Sequence, residues 1–166
     1  MKLSVRLYNE TKTSHTNIDT HQFISIIRTN TLAQTLYINF NKVCIFQIQK
    51  TLKLKNTLLQ SKLHKHFYVP DMFISKSFQK LLQKCTDHTL EHEYMFKIGL
   101  MMGGSLLKRY IKHEDSFLTF DNPNILVKDF KTYLDTNVTD QDSFIKIVNE
   151  SYELIKNIFD EFLTKL

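Results

Sequence analysis

The clearest folding signal in the chain is the run DSFIKIVNESYELIKNIFDEFLTKL, residues 142–166. Its apolar residues recur every three or four positions, as they do on one face of an amphipathic helix, and charged or amide side chains fill the other face. The apolar positions are Phe144, Ile147, Val148, Tyr152, Ile155, Phe159, Phe162 and Leu166. The run predicts a helix that packs on a core, with Thr139 and Asp142 as an approximate capping box at its start.

Further helices are predicted upstream of this run. Ser75 is suited to cap a helix that follows it, and Asn122-Pro123 is a start signal with Asn as the cap and Pro at the first helical position. The segment at about 91–111 is apolar around most of its circumference, as a buried central helix is. A weaker periodicity indicates another helix over 20–36.

Two segments have the pattern of strands. Leu3, Val5 and Leu7 alternate with polar residues, and 37–49 is rich in β-branched and aromatic residues, so it is a strand or, in an all-α fold, a buried helix. The chain is therefore predicted to be a single domain over 1–166. We expect a mainly α bundle around the central helix at about 91–111, with room for a small N-terminal β element.

The composition excludes several classes of protein. The chain has only three Gly and two Pro, too few for a Gly-rich nucleotide loop or a repeat-rich sheet protein. Its two cysteines, Cys44 and Cys85, fit a pair of buried thiols in a reducing compartment. The sequence contains neither a secretory signal nor an apolar run near the roughly 20 residues of a membrane span. We expect a soluble, cytoplasmic protein without a cofactor.

All three glycines lie within six residues of the predicted central helix. Gly99 and Gly103 are four positions apart, and Gly104 follows directly. Each costs about 1 kcal/mol of helix propensity relative to Ala, which a close approach of another backbone would offset. Two interpretations stay open: a tight helix crossing in the core, or the floor of a groove into which a partner helix presses.

The same segment resembles a known family. The run Met102-Gly-Gly-Ser-Leu-Leu-Lys-Arg-Tyr110, preceded by Phe96-Lys-Ile98, resembles the central buried helix of the Bcl family of apoptosis regulators. In that family an Asn-Trp-Gly-Arg motif comes before the helix. Here the matching positions, 92–95, read His-Glu-Tyr-Met, and Lys97 is the cation that would replace the motif's arginine.

The resemblance implies a non-enzymatic, apoptosis-regulating protein of the viral Bcl type. Such a protein would bind the amphipathic helix of a protein partner in a hydrophobic groove. The residues that we predict to form this groove are Phe78, Leu82, Met95, Ile98, Met102, Gly103, Gly104, Lys108 and Arg109.

An alternative function, nucleic-acid binding, comes from the basic middle of the chain. Residues 42–90 carry nine Lys against two Asp, and KTLKLKNTLLQSKLHKH, residues 50–66, interleaves Lys with Leu. Clustered cations bind phosphates, and neighbouring aromatic rings stack on bases. The residues that would bind nucleic acid are Lys50, Lys53, Lys55, Lys62, Lys65, Phe67 and Tyr68.

A second alternative is a metal-dependent hydrolase. His88-Thr-Leu-Glu91-His92 matches the H-x-x-E-H pattern, in which two histidines on one helical face hold zinc and the glutamate acts as general base. A third ligand would have to come from the C-terminal helices, for example Glu150 or Glu153. Because seven histidines are scattered through the chain, chance is the leading explanation of the match, and we expect no bound metal.

Overall fold

The computed structural model of the chain describes residues 1–11, 20–52, 75–98 and 122–163. Within these ranges the regular structure is entirely helical, so the prediction of a mainly α fold is confirmed. The helices are α1 Leu3–Glu10, α2 Thr20–Thr29, α3 Thr31–Leu52, α4 Lys76–Asp87, α5 Thr89–Glu93, a π-helical turn Tyr94–Ile98, α6 Pro123–Asn137 and α7 Gln141–Leu163. None of these described helices combines the length and apolar character needed to traverse a bilayer.

The predicted N-terminal β element is wrong, because Leu3–Glu10 is a helix. Leu3 and Leu7 are both fully buried, whereas Val5 between them is largely exposed. Apolar residues at positions 3, 5 and 7 fit a period of two, but positions 3 and 7 are also one helical turn apart. In so short a segment both periods fit the sequence. The structure shows that the segment is helical and that Leu3 and Leu7 share its buried face.

The strand interpretation of 37–49 is also wrong, and the alternative of a buried helix is right. The segment belongs to α3, whose buried residues recur at helical spacing: Leu36, Tyr37, Phe40, Cys44, Ile45 and Ile48. The helix predicted over 20–36 is divided at Asn30, whose side-chain oxygen accepts a hydrogen bond from the Ala33 N–H at 3.1 Å. Asn30 therefore acts as the cap of a new helix.

Three other helix starts were predicted, and the structure agrees with them to different degrees. The Ser75 hydroxyl accepts a hydrogen bond from the Phe78 N–H at 3.2 Å, as expected of an N-cap. Pro123 opens α6, although the side chain of Asn122 makes no capping bond. At α7 the acceptor is Asp140, whose carboxylate binds the Ser143 N–H at 3.1 Å, so the predicted box centred on Thr139 is displaced by one residue.

The core is centred on the aromatic ring of Phe40 in α3. Three rings from other elements surround it: Phe78 of α4 at 5.7 Å, Phe96 of the π-helical turn at 6.1 Å and Phe159 of α7 at 4.8 Å between centroids. Phe40, Phe78 and Phe159 are fully buried. Helix α4 packs against both α3 and α7, so this cluster joins the three helices.

The predicted central helix at about 91–111 is described only up to Ile98. That part contains the end of α5 and the π-helical turn, and it contacts α3. Met95, Phe96 and Ile98 are buried, as the broad apolar pattern indicates. Residues 99–111, with the three glycines, lie outside the described residues.

Helix α1 is held to the C-terminal helices by polar contacts. Asp135 of α6 accepts hydrogen bonds from the backbone N–H and the hydroxyl of Ser4, both at 2.8 Å. The Arg6 guanidinium lies 2.7 Å from the carboxylate of Asp142 at the start of α7 and 2.8 Å from that of Glu10. Asp135 thus caps the first turn of a helix from which it is 131 residues distant in sequence.

Replacing Phe40 with Ala should lower the free energy of unfolding by about 3–5 kcal/mol, because the truncation removes contacts with three rings and leaves a cavity. The matched control is Phe46→Ala on the same helix, since Phe46 is 37% exposed. Urea unfolding followed by circular dichroism measures both. Equal losses in the two variants would contradict the central role of Phe40.

Candidate functional site: an apolar cleft beside helix α6

The structure divides the predicted groove residues into two groups. Phe78 and Met95 are core residues with almost no exposed surface, and Leu82 is half-buried against the same core. Phe78 and Met95 fill the space between the helices, and the groove that includes them stays a prediction. Ile98 lines a surface cleft. Met102, Gly103, Gly104, Lys108 and Arg109 lie outside the described residues.

The cleft lies between the π-helical turn and α6. Its volume is about 270 Å³, and its lining residues are Lys97, Ile98, Leu126, Asp129, Phe130 and Tyr133. Helix α6 supplies four of these residues, from positions that are three or four apart and therefore share one face. Two turns of α6 thus form one wall, and the turn at Lys97 and Ile98 forms the other.

The apolar surface continues from the cleft along α6. Ile125 is 58% exposed, Leu126 42% and Tyr133 52%, while Leu134 is the residue of this helix that is fully buried. The sequence predicts the start of this helix at Asn122-Pro123 but not which of its apolar side chains stay exposed, because exposure depends on tertiary neighbours.

Two charges lie at the rim of the cleft. The Lys97 ammonium is 2.6 Å from Oε1 of Glu93 and 5.9 Å from the centroid of the Phe130 ring. Lys97 therefore covers one edge of the apolar floor with its alkyl chain and carries its charge against Glu93. The cation that the Bcl resemblance puts in place of the family's arginine is thus already paired within its own helical segment. Asp129 supplies a carboxylate on the opposite wall.

The H-x-x-E-H segment forms a different arrangement from the predicted metal site. His92 is fully buried, and both of its ring nitrogens have protein partners. Nδ1 is 2.7 Å from the carbonyl oxygen of His88, and Nε2 is 2.7 Å from the hydroxyl of Ser151 in α7. A metal would have to displace one of these bonds. Within the described ranges no three His, Cys, Asp or Glu side chains cluster as metal ligands would.

The hydrogen bonds fix the protonation of His92. A carbonyl oxygen only accepts, so Nδ1 carries the proton, and Nε2 of the neutral ring accepts from the Ser151 hydroxyl. Burial lowers the pKa of His92 from 6.5 to about 4, which keeps the ring neutral. A hydroxyl bonded to an imidazole resembles a nucleophile and its base, but both side chains are fully buried. The pair therefore links α5 to α7 without access for a substrate.

The predicted nucleic-acid segment is almost entirely outside the described residues. Lys50 belongs to the last turn of α3. Lys53, Lys55, Lys62, Lys65, Phe67 and Tyr68 lie outside. The interpretation of this segment therefore stays a prediction from sequence.

Comparisons with protein-family models, with curated proteins and with solved structures found no match. The features of the described residues that bear on function are therefore the cleft, the exposed face of α6 and the charges at their rim.

Acidification should destabilise the protein through His92. Between pH 6.5 and about 4 the unfolded chain binds a proton at this side chain that the folded chain does not, so stability is full above pH 6.5 and falls toward pH 4, by up to about 3 kcal/mol. Urea unfolding at pH 7.5 and at pH 4.5 should show a smaller pH effect in His92→Gln than in the native chain. The control is His88→Gln, which alters a half-exposed histidine and should keep the native pH effect. An equal change in the free energy of unfolding between the two pH values in all three proteins would show that His92 is not its cause.

Zinc at micromolar concentration should leave the melting temperature unchanged, because both nitrogens of His92 are engaged and the described residues contain no cluster of three metal ligands. Differential scanning fluorimetry with and without a chelator measures this. A zinc-dependent rise that disappears in His92→Gln would overturn the interpretation and establish a metal site.

Proposed function

We propose that the protein is a non-enzymatic helical interaction module that binds an amphipathic helix of a protein partner. The binding surface is the cleft together with the exposed face of α6. The observation that carries this proposal is the partial exposure of Leu126 and Tyr133 at a cleft that Ile98 and Phe130 also line. Apolar side chains grouped at one place on a surface are typical of interaction sites, whereas single exposed ones are not.

The dimensions of the surface suit a helix. Leu126, Phe130 and Tyr133 follow one another at helical spacing, and the first and last are about 10 Å apart along the axis of α6. A partner helix presents its own apolar residues at the same spacing, so two or three of them can enter the cleft side by side. Fully burying one large apolar side chain contributes about 1.5–3 kcal/mol, and several half-exposed side chains supply a comparable amount.

The charges at the rim of the cleft favour a partner helix that carries a basic residue. Lys97 is neutralised by Glu93, whereas Asp129 supplies a negative charge at the opposite wall. A basic residue beside the apolar stripe of the partner would pair with Asp129 and set the direction in which the helix lies. Such charges at a rim contribute more to specificity than to affinity.

The resemblance to the Bcl family supports the same mode of binding, because members of that family hold an amphipathic helix in a hydrophobic groove. A role in regulating cell death, as a viral-type member of that family, rests on this resemblance alone. Its groove would be built here on α6 and Ile98.

A designed amphipathic peptide with leucines at helical spacing and flanking lysines tests the proposal, with binding measured by fluorescence anisotropy. Leu126→Asp should weaken binding at least tenfold, a change of about 1.4 kcal/mol, because it places a charge in the cleft. The matched control is Leu32→Asp in α3, since Leu32 is 49% exposed and lies outside the cleft. Both variants should keep native helicity, because both leucines are partly exposed.

Equal affinity of the two variants for the peptide would contradict the proposal. Salt distinguishes the alternative function: binding in an apolar cleft should change little between low and high salt, whereas binding of a DNA or RNA oligonucleotide through residues 50–68 should weaken steeply. An oligonucleotide that binds in this salt-dependent way, together with a peptide that does not bind, would favour the nucleic-acid interpretation.

A further inference from the structure

The two cysteines of the chain lie together in the core. Cys44 belongs to α3 and Cys85 to α4, both are free thiols, and both are fully buried. Burial raises the pKa of the Cys44 thiol, and the thiol of Cys85 lies near enough to raise it further. These are the only cysteines among the 166 residues, and the fold brings them into contact across 41 positions of sequence.

Neighbouring contacts hold α3 and α4 together on both sides of the thiol pair. One turn before Cys44, the ring of Phe40 lies 5.7 Å from that of Phe78. One turn after it, the Gln47 amide donates a hydrogen bond to the Thr86 hydroxyl at 2.7 Å. The contacts advance in the same direction along both helices, so the two helices run parallel here and stay close at the level of the cysteines.

We infer that Cys44 and Cys85 are an oxidative modification site at which a hydroperoxide forms an intramolecular disulfide between α3 and α4. A disulfide requires a sulfur separation of about 2.0 Å and side chains that point toward each other. Cys44 and Cys85 are buried on two helices that are held together before and after them, so the fold already brings the two thiols toward this geometry.

The reaction balances with the peroxide as the sole oxidant. The thiolate of one cysteine attacks a peroxide oxygen, the O–O bond breaks, and a sulfenic acid and hydroxide form. The second cysteine then attacks the sulfenic sulfur, the S–S bond forms as the S–O bond breaks, and a second hydroxide leaves. The two sulfurs lose two electrons to the peroxide, and the two thiol protons end in two water molecules.

Burial limits when the two cysteines can react. It raises the pKa of the Cys44 thiol well above the ordinary value, so the reactive thiolate is scarce while the core is closed. A peroxide reaches the pair when the packing between α3 and α4 loosens. The disulfide therefore forms under two simultaneous conditions, an oxidant and a loosened core, and it then ties together the two helices that had begun to separate.

The test treats the full reduced chain with hydrogen peroxide, with no urea and in urea below the unfolding transition. After denaturation and alkylation, the free thiols are counted and the peptides are mapped by mass spectrometry under non-reducing conditions. We expect both thiols to be lost together, a linked peptide pair containing Cys44 and Cys85, and faster reaction in urea. The linked pair should disappear on reduction.

Cys44→Ser and Cys85→Ser are the controls, with Cys→Ala at the same positions should serine in the core impair folding, as judged by circular dichroism. In each single variant the remaining thiol should end as a sulfinic acid or an intermolecular disulfide. Sulfinic acids or dimers as the main products of the native chain would overturn the inference. So would two thiols that stay free in sub-denaturing urea under a peroxide dose that oxidises the fully unfolded chain.

Discussion

The ring of Phe40 touches rings from three other elements, and the arrangement of the helices depends on this contact. Phe78, Phe96 and Phe159 come from α4, the π-helical turn and α7, which are far apart in sequence. Edge-to-face and tilted contacts between rings are directional, so the cluster fixes the orientation of the helices as well as their distance. The cleft depends on it indirectly, because the turn that carries Phe96 also carries Lys97 and Ile98, which form one wall.

Helix α6 leaves part of its apolar face in water. It is joined to α1 through Asp135 and buries Leu134, yet Leu126 and Tyr133 remain partly in water. In the proposed function, a partner helix would bury these two side chains, and the adjoining cleft would give that contact its shape.

The sequence was a good guide where a helix has one buried and one solvated face. The strongly amphipathic α4 and α7 were predicted with nearly correct starts, since Ser75 and the residues before α7 signal their caps. It was a poor guide to α3, because that helix is buried around most of its surface and its β-branched residues resemble a strand. The site could not be predicted from the sequence, because the part of α6 that stays exposed depends on its tertiary neighbours. The partners of His92 were equally hidden, because Ser151 is 59 residues away.

The capping of α1 by Asp135 has a consequence for the order in which the chain acquires structure. An eight-residue helix is too short to be stable in isolation, and the acceptor for its first turn is made 131 residues later. During synthesis α1 leaves the ribosome before α6 and α7, so its stabilising contacts can form only after those helices have emerged. Helix α1 would then close the fold rather than nucleate it.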